Sequence, residues 1–191
     1  MNYRISTIAL IFGGTAFLFS AGCLAQSHCR RGEINYFSCT IKGSEKVASL
    51  CGNNLKYTYE TNGRNGSLNG LTGSLQYRFG FPGKPEFVFP KVKPGSDSVA
   101  RFKGFWTKGY RISYDEISFE NQGVRYSLAF TQSSQTDESE GFVGVEVKRG
   151  AKTTRFSCDK WLVPQTSYSL DNDFPNDFQD LVRELDTTSL H

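Results

Sequence analysis

From Ile34 to Cys158 the chain keeps returning to one pattern: a few residues that alternate apolar and polar, then a glycine, proline or asparagine turn. A period of two sends successive side chains to opposite faces of a strand, so each such segment buries one face and wets the other. Tyr110, Ile112 and Tyr114 show it, as do Tyr126, Leu128 and Phe130, and again Val143, Val145 and Val147. Ten strands are read this way, near residues 34–41, 46–51, 55–60, 74–80, 86–89, 99–105, 110–119, 124–131, 142–149 and 153–158. Lys42-Gly43-Ser44, Phe81-Pro82-Gly83, Asn121-Gln122-Gly123 and Arg149-Gly150-Ala151 have the residues that tight hairpins need. Short strands at hairpin spacing predict a mainly β fold, an antiparallel β-sandwich or barrel. At 191 residues it is one domain.

Two segments depart from the pattern. In the acidic stretch 171–186, Phe178, Leu181, Val182 and Leu185 fall at i, i+3, i+4 and i+7, which predicts one C-terminal amphipathic helix. Asp173 is placed to cap it, Pro175 suits its first turn, and Asp177 and Asp180 complement the dipole. Residues 171–191 are thus read as an acidic helix and tail, able to dock on the more basic body. Thr61 to Gly73 holds four glycines and reads as a loop, long enough to expect a functional or mobile role.

The first 26 residues read as an address. A short basic start, an uncharged apolar run over Ile5–Phe19 and small residues up to Ala25 have the form of a secretory signal peptide, residues 1–25, leaving a β domain over 26–170. Ser20-Ala21-Gly22-Cys23 also resembles a bacterial lipobox; cleavage before Cys23 and its acylation would tie the chain to a membrane. Either cut leaves Cys29, Cys39, Cys51 and Cys158. An even set in an exported chain predicts two disulfides, in one of three pairings. Cys39–Cys51 as a hairpin staple with Cys29–Cys158 as an end-to-end link is the favoured one. No Cys-x-x-Cys or EF-hand spacing points to a metal, and no motif calls for a cofactor.

Chemistry is sparse. Net charge is +3, which gives no electrostatic case for nucleic acid. The only histidines, His28 and His191, sit near the ends of the chain and suit no triad. Glu86, Asp115 and Glu116 are the carboxylates that an envelope hydrolase would use, but glycosidase chemistry needs two that converge. A hairpin about Pro82 sets Arg78 opposite Glu86 as a structural cross-strand pair.

Phe37-Ser38-Cys39, Leu50-Cys51-Gly52, Tyr77-Arg78-Phe79-Gly80, Pro82-Gly83-Lys84, Glu86 and Phe156-Ser157-Cys158 together resemble small exported bacterial four-cysteine β-proteins of unassigned function. The resemblance spans about residues 29–158 and implies no activity. Phe105-Trp106-Thr107-Lys108-Gly109 resembles the aromatic-x-Lys-Gly element of periplasmic inhibitors of C-type lysozyme, although Tyr110-Arg111 follows where a small residue is expected. It implies a binding surface at Trp106, Lys108 and Tyr110. The expectation is a non-enzymatic binding or inhibitor-type domain, periplasmic or secreted, with a protein or glycan of the envelope as its partner.

Overall fold

The computed structural model describes residues 27–62, 65–93, 96–110, 112–133, 141–162 and 177–186. The signal-peptide and lipobox readings, with Asp173 and Pro175, lie outside them. Nine strands form one antiparallel sheet: β1 (Ile34–Ile41), β2 (Val47–Asn62), β3 (Asn65–Phe81), β4 (Lys84–Phe89), β5 (Lys103–Lys108), β6 (Ile112–Asn121), β7 (Val124–Ser133), β8 (Val143–Arg149) and β9 (Lys152–Leu162). One helix follows, α1 (Phe178–Leu185). Among the described residues no helix is long and apolar enough to cross a membrane.

The strand order is β4-β3-β2-β1-β9-β8-β7-β6-β5. Every neighbour but one is joined by a hairpin or short connection, and the exception is the seam where β1 meets β9. The mainly β class with its C-terminal helix is as expected. The sheet, however, is open, with β4 and β5 as its edges and no pairing between them to close a barrel. Its two halves instead face each other through packed aromatic rings. Phe119 of β6 lies 4.3 Å from Phe89 of β4 and 5.2 Å from Tyr77 of β3, and Phe87 of β4 lies 5.1 Å from Tyr126 of β7. Aromatic pairs at such separations contribute beyond their buried area, about 0.5–1.5 kcal/mol each.

Two local readings are corrected. The described residues of the Gly/Asn-rich stretch 61–73 are not a loop: they pair along β2 and β3, from Lys56↔Thr72 out to Asn62↔Asn65. Main-chain ladder bonds hold such a ribbon without apolar alternation. The strand expected over 99–105 begins instead as a 3₁₀ turn at Val99–Arg101 before β5 starts at Lys103. Ser98 fixes that turn, its hydroxyl accepting from Leu75 N–H at 2.9 Å and donating to Leu75 C=O at 2.8 Å.

The helix starts later than its composition suggests. Asp177 is its N-cap, accepting from the Asp180 N–H at 2.9 Å. Phe178, Leu181, Val182 and Leu185 are all buried, as the stripe predicted, and Phe178 meets Phe37 of β1 at 5.7 Å. The helix therefore docks through its apolar face, against β5, β6, β1 and β3. Close approach requires a glycine: a Cβ on Gly104 of β5 would run into the Val182 carbonyl. Gly104→Ala is expected to push α1 away and lower stability by about 1–3 kcal/mol, the usual range for overpacking. Thermal unfolding checks this, and an unchanged midpoint would show that the helix is not clamped there.

Candidate functional site

The disulfides differ from the favoured pairing. They are Cys29–Cys51 and Cys39–Cys158. Strand alternation explains why. Cys39 shares the core face of β1 with Phe37 and Ile41, whereas Cys51 shares the outer face of β2 with Ser49 and lies opposite Asn35. Side chains on opposite faces cannot be bridged. Two disulfides make this a protein of an oxidising, non-cytoplasmic compartment. Cys29, Glu33 and Cys51 lie close together, but both sulfurs belong to the disulfide and leave no thiolate for a metal.

Arg78 and Glu86 are not partners. The hairpin turns on Pro82 and Gly83, and a bulge at Glu86 moves the register, so that Arg78 lies opposite Val88. Gly80 permits the bulge: its φ is +153°, and a Cβ would strike Lys84 O and Glu86 N. Glu86 instead pairs with Lys46 at 2.7 Å, a half-exposed contact worth little. Arg78 turns to the outer face, where it forks onto Glu33 at 2.5 and 2.7 Å and also donates to His28 C=O and Gln76. With Cys29–Cys51 and the His28 N–H to Ser49 Oγ bond, it straps residues 28–33 across β2 and β3. His28 serves here as a structural residue, its Nε2–H donating to Gly80 C=O at 3.2 Å.

The remaining carboxylates do not converge. Asp115 and Glu116 are neighbours on β6 and so face opposite ways. Asp115 is buried under α1, accepting from Gln179 Nε2 at 3.2 Å; burial raises its pKa, partly offset by that bond and by Arg183. Burial pushes Glu116 up too, but bonds from Tyr114, Arg125 and Ser127 outweigh it and hold the carboxyl below its usual range. An acid–base pair facing one space is not formed by these three.

The Trp106 strip is likewise altered by the helix. Trp106 lies on the Gly104 face of β5, and Arg183 of α1 sits 5.8 Å from its ring. Lys108 and Tyr110 are exposed at the end of β5 and beyond.

What the two halves of the sheet do enclose is a cleft of about 400 Å³. Tyr77, Phe79, Glu86 and Phe87 of β3 and β4 form one wall. Tyr126, Val145, Val147, Thr154 and Phe156 of β7, β8 and β9 form the other. Its volume is in the range of small-ligand sites, about 300–1,000 Å³, and the lining is apolar with few polar groups, as such sites are. Phe156 of this lining is 39% exposed. A hollow of about 500 Å³ outside β4 is larger, but Lys91, Arg101, Asn121 and Gln122 make much of its lining polar. Sequence reasoning passed over the cleft because its residues look like ordinary strand core. No sequence signal separates them from it, since the exposure of Phe156 is seen only in the fold. Comparison with protein-family models, with curated proteins and with solved structures gives no match to this chain.

Proposed function

We propose that this chain is an exported, non-enzymatic binding domain, periplasmic or secreted, whose site is the apolar cleft between the two halves of the sheet. The carrying observation is the cleft itself: an opening about 400 Å³ in size, walled by aromatic and branched side chains from five strands. An apolar hollow left open to water loses contact energy that a ligand restores. Catalysis finds less support, since a general acid and a second reacting group must face one substrate. A ligand carried through an aqueous compartment is the use that such a cleft suits.

The test is titration with N-phenyl-1-naphthylamine, a neutral dye that brightens in apolar sites. One dye per chain is expected, with affinity at least tenfold weaker in Val147→Trp, which fills the cleft from β8. Circular dichroism and the unfolding midpoint confirm that the variant is folded. Absence of dye binding by the wild type, or equal binding by the folded variant, overturns the proposal.

A further inference from the structure

Four tight turns gather at one end of the sheet, because β1–β2, β3–β4, β6–β7 and β8–β9 all reverse there. Residues 42–46, 82–84, 120–123 and 148–152, which make and flank these turns, hold six Lys or Arg and two Glu. The cleft runs toward this end. On its β8–β9 wall the facing pairs are Val145↔Phe156, then Val147↔Thr154, then Arg149↔Lys152. Alternation keeps all three pairs on one face of the sheet, so the apolar wall continues directly into two cations.

A like-charged pair directly across two strands is unfavourable by itself. Both side chains are exposed, which suits a site where an anion would relieve the repulsion. The one acid in the cleft lining is Glu86 on the opposite wall, where Lys46 pairs with it at 2.7 Å and also lies 5.1 Å from the Phe81 ring. Phe81, 41% exposed, leaves apolar surface at the same end. Away from the turns, the cleft is floored by Tyr77, which is buried and packed at a tilt against Phe119.

The space is therefore one-ended: apolar at the floor and cationic at the rim. We infer that the cleft takes a single-chain anionic amphiphile, with its alkyl chain between the walls and its carboxylate or phosphate head at Arg149 and Lys152. The inference rests on the cleft being the binding site and adds the chemical class of the ligand. Tail burial supplies affinity, and the head sets the direction of entry and is sensitive to salt.

The experiment displaces bound N-phenyl-1-naphthylamine, at low ionic strength and below micelle-forming concentrations. The displacers are dodecanoate, dodecyl phosphate, dodecanol and dodecyltrimethylammonium. At least one anion is expected to displace the dye at a tenfold lower concentration than dodecanol, with the cation weakest. The better of the two anions names the head group. In Arg149→Glu/Lys152→Glu, where both residues sit beside an exposed turn, dye binding should persist and the order of anion and cation should reverse. Equal displacement by all four compounds in a wild type that binds the dye overturns this inference and leaves the apolar site standing. An anion preference unchanged by the charge reversal also overturns it. A wild type that binds no dye removes both.

Discussion

Replacing Cys39 and Cys158 together by alanine is expected to lower stability by about 5 kcal/mol, the loop-closure value for so long a loop. The two cysteines are 119 residues apart in sequence, whereas Cys29 and Cys51 are 22 apart. The same reasoning gives about 3 kcal/mol for the shorter loop, so the two double variants should rank in that order. The fold adds a second reason. Cys39–Cys158 joins β1 to β9, at the seam where the two halves of the sheet meet. That ladder is short and interrupted between Thr40 and Ile41, while the β2–β3 and β6–β7 hairpins are long and local. Without the link, the unfolded chain gains most of its lost freedom, and the weakest junction of the sheet loses its only covalent tie. Urea unfolding followed by tryptophan fluorescence measures both variants. A larger loss for the Cys29–Cys51 pair would refute this account of the seam.

How far the fold could be read in advance depended on whether side chains or register carried the information. Periodicity alone gives β1 with its bounds and places β7, β8 and the helical stripe, because burial imposes that pattern on the residues themselves. The β2–β3 ribbon was lost because Gly66, Gly70 and Gly73 look like turn residues, yet glycine can enter a ladder through its main chain. The disulfide pairing and the Arg78 partner were both misread for one reason. Each depends on which face a residue occupies, which the β1–β2 register sets for Cys39 and Cys51 and the bulge at Glu86 sets for Arg78. Glu33 lies 45 residues from Arg78 in sequence, on a strap that no periodic signal identifies. The cleft was invisible for a different reason. Alternation shows that Tyr77, Val147 and Phe156 point inward, but not that the walls stand apart when they do.

Arg78→Met is expected to destabilise the folded chain by about 3–5 kcal/mol at neutral pH, the cost of breaking a buried ion pair from one side. Methionine keeps much of the aliphatic volume, so the loss comes from charge and hydrogen bonds rather than from a cavity. Arg78 is 4% exposed and Glu33 12% exposed, and the fork between them is bidentate, the strong form of such pairs. Removing the guanidinium leaves Glu33 half-enclosed with only the Arg30 N–H at 2.6 Å, and also frees the His28 carbonyl. The pH dependence separates this cause from simple packing. Burial by itself raises the Glu33 pKa, but Arg78 and the Arg30 N–H outweigh it and hold the carboxyl below its usual range. A lowered folded pKa contributes stability that is complete above the unfolded value, about 4.3, and is lost as pH falls through the folded one. In the variant the burial effect remains without its main opponent, so Glu33 is driven toward the neutral form. Its penalty then fades as acid protonates it. The gap between wild type and Arg78→Met should be widest near neutrality and narrow steadily below about pH 5. Glu33→Gln in the Arg78→Met background removes the stranded charge, and should recover part of the loss at neutral pH and little in acid. A gap that stays constant from neutral pH into acid would assign the loss to packing, and would remove the ion pair as the clasp of the N-terminal strap.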